Sequence, residues 1–144
     1  MSNNEKNNPL YYSWTKVYIP YCDGVLHQGT REAPIDYKQT KLYLRGMNNT
    51  LAHFKYLDEK YNLFNAKKVV LSGTSAGAMA ALAWSNTVYN QMRNKNGLLV
   101  IFDSGQFVSD YFNPFTNSTP GVDAYKFIKT LAFAEQLPPY HECL

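Results

Sequence analysis

Gly73-Thr74-Ser75-Ala76-Gly77 is the stretch of this sequence whose residue types and spacing lend themselves best to covalent chemistry. A serine hydroxyl is a weak nucleophile until it is held clear of the backbone and a neighbouring base takes its proton. Gly-x-Ser-x-Gly between a strand and a helix meets the first need. The turn is tight enough to strain the serine backbone, and glycines two residues to either side let strand and helix approach each other. In that setting Ser75 Oγ projects beyond the sheet edge. The N–H of Ala76 then points where an oxyanion forms, aided by the positive end of the helix dipole. The same residues also describe a serine that merely packs in a Gly-rich turn, or one that binds a phosphate. A phosphate loop of the GxxxxGK[ST] kind is excluded because no Lys follows, and GxGxxG is absent.

A nucleophilic serine needs a base and an acid to orient that base, in this pattern in the chain order Ser, acid, His. His141 is the one histidine after Ser75, close to the C-terminus beside Pro138-Pro139, a poor post for a group that must be held rigidly. Asp103, closing an apolar run, has the geometry of an acid, but Asp-Ser-Gly is equally ordinary turn chemistry. His27, in the loop after the first expected strand, reads either as a site-lining residue or as a hydrogen-bonded structural histidine. Arg45 either lines the cleft or holds a carboxylate in a structural pair, and His53 belongs on a helix surface or edge. Cys22 and Cys143 are too few and too far apart for a CxxC motif, so no metal site and no cofactor is expected. Two free or differently partnered thiols are favoured over a disulfide.

The elements that must hold these groups follow from periodicity. Trp14 to Tyr21 has strand composition, with Pro20 ending the ladder, and a loop runs from Cys22 to about Thr40. Met47, Leu51, Phe54 and Leu57 or Tyr61 recur at spacings of three and four and predict an amphipathic helix over 47–62. Lys67 to Ser72 predicts a short strand leading into the Ser75 turn, Ala76 to Ala83 a small-residue helix, and Gly97 to Phe102 a second apolar strand. A helix over 122–136 is ended by Pro138-Pro139. Near-continuous apolar strands alternating with helices mean an α/β fold, a parallel sheet with helices on both faces. One domain over 11–144, after a polar extension over 1–10 with no fold of its own, is the organisation expected.

Composition agrees with that class. A chain of 144 residues with 45% hydrophobic and 17% charged residues is globular rather than disordered. The net charge of +3 is scattered, with Lys67-Lys68 the one local concentration, so nucleic-acid binding has no support. No apolar run approaches the ~20 residues of a membrane span, and Met1 to Asn8 does not look like a secretory signal. Twelve tyrosines suit sugar-facing surfaces, although most tyrosines serve the core.

Four ordered blocks together resemble the pectin acetylesterase and Notum family. They are Tyr18-Ile19-Pro20-Tyr21-Cys22-Asp23-Gly24 with His27 and Gly29; Leu42-Tyr43-Leu44-Arg45-Gly46 with Asn48; Lys67 to Ala78 with its Gly-x-Ser-Ala-Gly core; and Asp103-Ser104-Gly105-Gln106-Phe107. The resemblance implies an α/β-hydrolase-like serine carboxylesterase that removes O-acyl groups. Substrates would range from an acetylated polysaccharide such as pectin to a lipid ester on a signalling protein, in a secreted or cell-wall setting. It implies Ser75 as nucleophile, Ala76 as an oxyanion donor, and Asp103 as a motif aspartate near the site rather than the triad acid. The family's acid and histidine normally lie further on than Leu144, and its Gly-Gly-Trp oxyanion segment precedes the first block. The chain therefore reads as an incomplete central portion of such an enzyme, without turnover alone. Thr74 stands where Cys or Ser is more usual and Ala78 where Gly is common; neither disturbs Ser75. The rival readings are a non-catalytic carbohydrate- or acyl-binding protein of the same fold, and an intracellular protein in which the turn is only structural.

Overall fold

The computed structural model describes residues 2–105, and within them the elements run β1 (Ile35–Tyr37), β2 (Thr40–Leu42), α1 (Gly46–Tyr61), β3 (Val69–Thr74), α2 (Ala76–Gln91) and β4 (Leu98–Asp103). The expected helix over 122–136, His141 and Cys143 lie outside the described residues. β3 and β4 pair in parallel from Val69↔Leu98 to Thr74↔Asp103. A parallel pair requires a crossover, and α2 supplies it, packing against both strands. The helix begins where expected but runs on to Gln91. Its buried face carries Ala78, Ala80 and Ala81, whose small side chains let the helix lie close to the sheet.

Two expectations are corrected. Trp14 to Tyr21 is not a strand: residues 15–22 carry no regular structure, because β-rich composition needs a ladder partner and Pro20 has no N–H to give one. Lys16 Nζ instead donates to the carbonyls of Tyr12 and Trp14 and to Asn3 Oδ1. The polar start forms turns and no helix or strand: Asn7 and Asn8 both donate to the Asn4 carbonyl and Tyr12 to that of Asn8. The segment read as a loop to about Thr40 holds the β1–β2 hairpin, antiparallel with Ile35↔Leu42 in register. Among the described residues the parallel sheet has two strands, and Leu99, Ile101 and Phe102 of β4 are exposed. The described part is thus mixed α/β, with helix cover shown where α2 packs.

The amphipathic helix forms as α1, with Phe54 and Leu57 of the expected face buried and Met47 half-buried against the core, but with Thr50 inward in place of Leu51. Gly46, Thr50, Phe54 and Leu57 are buried, while Leu51 is 43% and Tyr61 60% exposed. Asn62, at a φ of 56°, ends the helix by donating its N–H to the Asp58 carbonyl, and Asp58 Oδ1 takes the Phe64 N–H. Phe54 packs edge-on to Trp84 with ring centroids 5.7 Å apart, which joins α1 to α2. These rings, with Ala80, Val88 and Met92, form the core, and Val69, Leu71 and Leu98 of the sheet pack against it. Burying each such aromatic contributes about 1.5–3 kcal/mol.

Candidate active site

Ser75 sits between the end of β3 and the first turn of α2 with φ 55° and ψ −119°, a backbone conformation that carries a strain of about 1–3 kcal/mol in a residue with a Cβ. Several contacts hold it there. Its N–H donates 2.9 Å to the Asp103 carbonyl on the neighbouring strand, and its own carbonyl accepts from Ala78 N–H at 2.9 Å and Met79 N–H at 3.2 Å. Gly73 is required by the turn, since a Cβ there would run into the main chain of Gly77. Gly77 is not required in that way: a Cβ on it meets nothing within 4 Å. The spacing argument for two glycines therefore holds for one of them. The hydroxyl of Ser75 does not cap α2, and the residue is exposed. The N–H groups of the first turn, Ala76 among them, have no acceptor four residues back within the helix and face the dipole's positive end.

Ser75, Ala76, Gly73, Gly77 and His27 all line one open groove of about 1530 Å³, together with Trp84. Arg45 and Asp103 are not on its wall. Arg45 is exposed and immediately precedes α1, and the Asp103 carboxylate, exposed at the end of β4, accepts the Ser104 hydroxyl at 3.0 Å. His53 is half-buried on α1, its Nδ1 2.6 Å from the Asn49 carbonyl oxygen. Cys22 is a free, exposed thiol.

His27 is held by its main chain as much as by its ring. Its carbonyl accepts Trp84 Nε1–H at 3.2 Å and the Thr50 hydroxyl at 3.4 Å, so one peptide group ties the loop to both helices. Trp84 lies nine residues beyond Ser75, which sets this anchor about 13 Å along the helix axis from the serine. The ring stacks on Tyr21 at 4.9 Å, and burial lowers its pKa below the ordinary value, with Asp23 opposing and His53 adding to the effect. Burial likewise raises the Tyr21 pKa. His27 thus stands on the wall of the groove that Ser75 also lines.

The residue that sequence reasoning missed is Asp23. It is 3% exposed, and its carboxylate accepts the N–H groups of Val25 at 3.1 Å, His27 at 3.2 Å and Gly29 at 3.0 Å. The loop it organises contains Gly24, Leu26 and His27 at positive φ, two of them with side chains. Gly46, at the start of α1, has no side chain because a Cβ would collide with the Asp23 carboxylate. The Asp23-Gly24 pair is turn chemistry visible in the sequence; its contact with Gly46 is not.

Among the described residues no group of three His, Cys, Asp or Glu side chains is placed to hold a metal ion, and no helix is long and apolar enough to cross a membrane. A family model described as Pectinacetylesterase matches residues 1–140. Pectin acetylesterase 5 of Arabidopsis thaliana is 30% identical over 76% of this chain and 25% of its own length. Pectin acetylesterase 7 of the same plant is 32% identical over 72% of this chain and 26% of its own. The palmitoleoyl-protein carboxylesterase NOTUM of Schmidtea mediterranea is 27% identical over 66% of this chain and 17% of its own. No solved structure matches at a significant level. The chain spans about a quarter of the length of the curated pectin acetylesterases it matches. On the family match, over nearly its whole length, this chain belongs to the pectinacetylesterase family.

Proposed function

We propose that this chain carries the nucleophile of a carboxylic ester hydrolase that removes O-acyl groups, acetyl above all, from a polysaccharide such as pectin, in a secreted or cell-wall setting. The observation that carries the reading is the strained, exposed Ser75 at the junction of β3 and α2, with its hydroxyl left uncommitted to capping. Strain of this kind persists where the surroundings over-determine it, and function is the usual reason. Family membership supports the reaction class, and the parallel β3–β4 pair with its α2 crossover fits an α/β-hydrolase-like architecture.

On this reading Ser75 Oγ attacks the acyl carbonyl carbon while a base takes its proton, and the carbonyl oxygen becomes an oxyanion that accepts the Ala76 N–H. Collapse breaks the bond to the sugar oxygen, which leaves as an alcohol with the proton returned by the base. The acyl group stays on Ser75 until water hydrolyses it. His27 precedes Ser75, against the order Ser, acid, His of this pattern, so the base and acid are assigned to residues outside the described ones. Without a base and an acid, a serine of this kind keeps only the small contribution of the oxyanion donors.

The test is covalent labelling of the full natural polypeptide by a fluorophosphonate, alongside acetate release from acetylated pectin. Ser75 should carry the adduct, and Ser75→Ala should lose it together with about 10⁴-fold or more of the activity. An adduct elsewhere, or activity that survives Ser75→Ala, overturns the assignment. Binding of acetylated pectin with no adduct and no hydrolysis would favour a non-catalytic binding protein.

A further inference from the structure

The turn that closes β4 bears on the serine more directly than any other neighbour outside the elbow itself. Thr74 and Asp103 are the last partners of the β3–β4 ladder, and one step further the Ser75 N–H reaches back to the Asp103 carbonyl. The next residue, Ser104, has a φ of 55°, matching Ser75 in lying where side chains are disfavoured. Gly105 then lies against α2, close enough that a Cβ on it would stand 2.5 Å from the Ala78 Cβ, while the next nearest atoms are 3.4 Å away. The strained serine is therefore held partly by its own turn and partly by a second strained turn on another strand. Because Asp103 engages the Ser75 N–H, the serine's own amide is unavailable as an oxyanion donor, which leaves that role to Ala76.

We propose that Asp103-Ser104-Gly105 is the positioning element of the Ser75 site, acting through the Asp103 carbonyl on the Ser75 amide and through the Gly105 contact with Ala78 rather than through the Asp103 carboxylate. It rests on the reading of Ser75 as nucleophile. Displacing the turn shifts the serine and the Ala76 N–H relative to the bound ester without removing any group that touches it. The effect belongs on the rate of acylation and not on substrate affinity.

The experiment uses the full natural polypeptide, measuring the rate constant of fluorophosphonate labelling per folded molecule, well below the unfolding temperature, with kcat and KM on p-nitrophenyl acetate. Gly105→Ala should slow labelling about 10- to 100-fold with KM held, the usual consequence of moving a reacting group by about 1 Å. Adding Ala78→Gly removes the one atom in the way, and the double variant should recover to within about threefold of wild type, with Ala78→Gly alone as the calibrating single variant. Ser104→Gly relieves the positive φ and should keep the rate, while Ser104→Val opposes that φ and should lower it, which serves if Gly105→Ala does not fold. Asp103→Asn keeps the main-chain carbonyl and should label within about threefold of wild type. Wild-type labelling rates for both Gly105→Ala and Ser104→Val, or a Gly105→Ala loss that Ala78→Gly does not restore, overturn the proposal while Ser75 stands as nucleophile. A wild-type protein that is never labelled overturns the reading of Ser75 and this inference with it.

Discussion

Replacing Asp23 by alanine removes the single acceptor on which three main-chain N–H groups converge. Hydrogen bonds to a charged acceptor contribute about 1.5–3 kcal/mol each, so three of them set an upper range of about 4.5–9 kcal/mol. The loop gives part of this back when it relaxes, because Leu26 and His27 leave positive φ, worth about 1–2 kcal/mol apiece. A net loss of about 3–5 kcal/mol follows, a large part of the ~5–15 kcal/mol that holds a domain together. Urea unfolding followed by tryptophan fluorescence reads it directly, since Trp84 is buried and donates to the very loop that Asp23 organises. With a slope near 2 kcal/mol per molar, the midpoint should fall by about 2 M. Gly46→Ala provides the cross-check, because its Cβ would meet the same carboxylate. Each substitution should destabilise alone, and the double variant should lose at least about 1 kcal/mol less than their sum. A midpoint shift equivalent to under about 1 kcal/mol for Asp23→Ala, or strict additivity with Gly46→Ala, refutes the picture of a carboxylate-centred loop.

Two further outcomes follow from the same geometry. Gly73→Ala forces a side chain into the main chain of Gly77 and should destabilise by about 3 kcal/mol or more, whereas Gly77→Ala, with open space and a helical position, should be neutral or stabilising by about 0.5–1 kcal/mol; equal effects of the two in thermal melts would contradict the turn described. Burial lowers the His27 pKa, so just below pH 6.5 the unfolded chain binds a proton that the folded protein refuses. Stability should be full above that pH and decline as the pH falls towards the lower folded value. His27→Gln should flatten this slope between about pH 7.5 and about pH 5.5, and a variant with the wild-type slope would show that another group sets it.

The elements around the serine were legible because each is announced locally. A β-branched run, a Gly-Thr-Ser-Ala-Gly turn, an alanine-rich stretch and a second apolar run follow in order, and β3, α2 and β4 form where those signals lie. The strain on Ser75 was legible for the same reason, since a strand-to-helix turn of that length leaves the middle residue little choice of φ. Gly77 shows the limit of the motif as a physical statement, because which flanking glycine is crowded depends on how the two elements cross.

What sequence alone determined, then, is the alternation of strand and helix and the residue at their sharpest turn, properties set by neighbours a few positions apart. Only the tertiary structure decided the rest. Thr50 rather than Leu51 faces inward because the His27 carbonyl stands opposite it, and Trp14 to Tyr21 lacks a ladder because no strand pairs with it among the described residues. Asp23 meets Gly46, and the Asp103 carbonyl meets Ser75, across separations of more than twenty residues. Such contacts depend on which surfaces come to rest against each other, and periodicity within one segment carries no record of the segment that will face it.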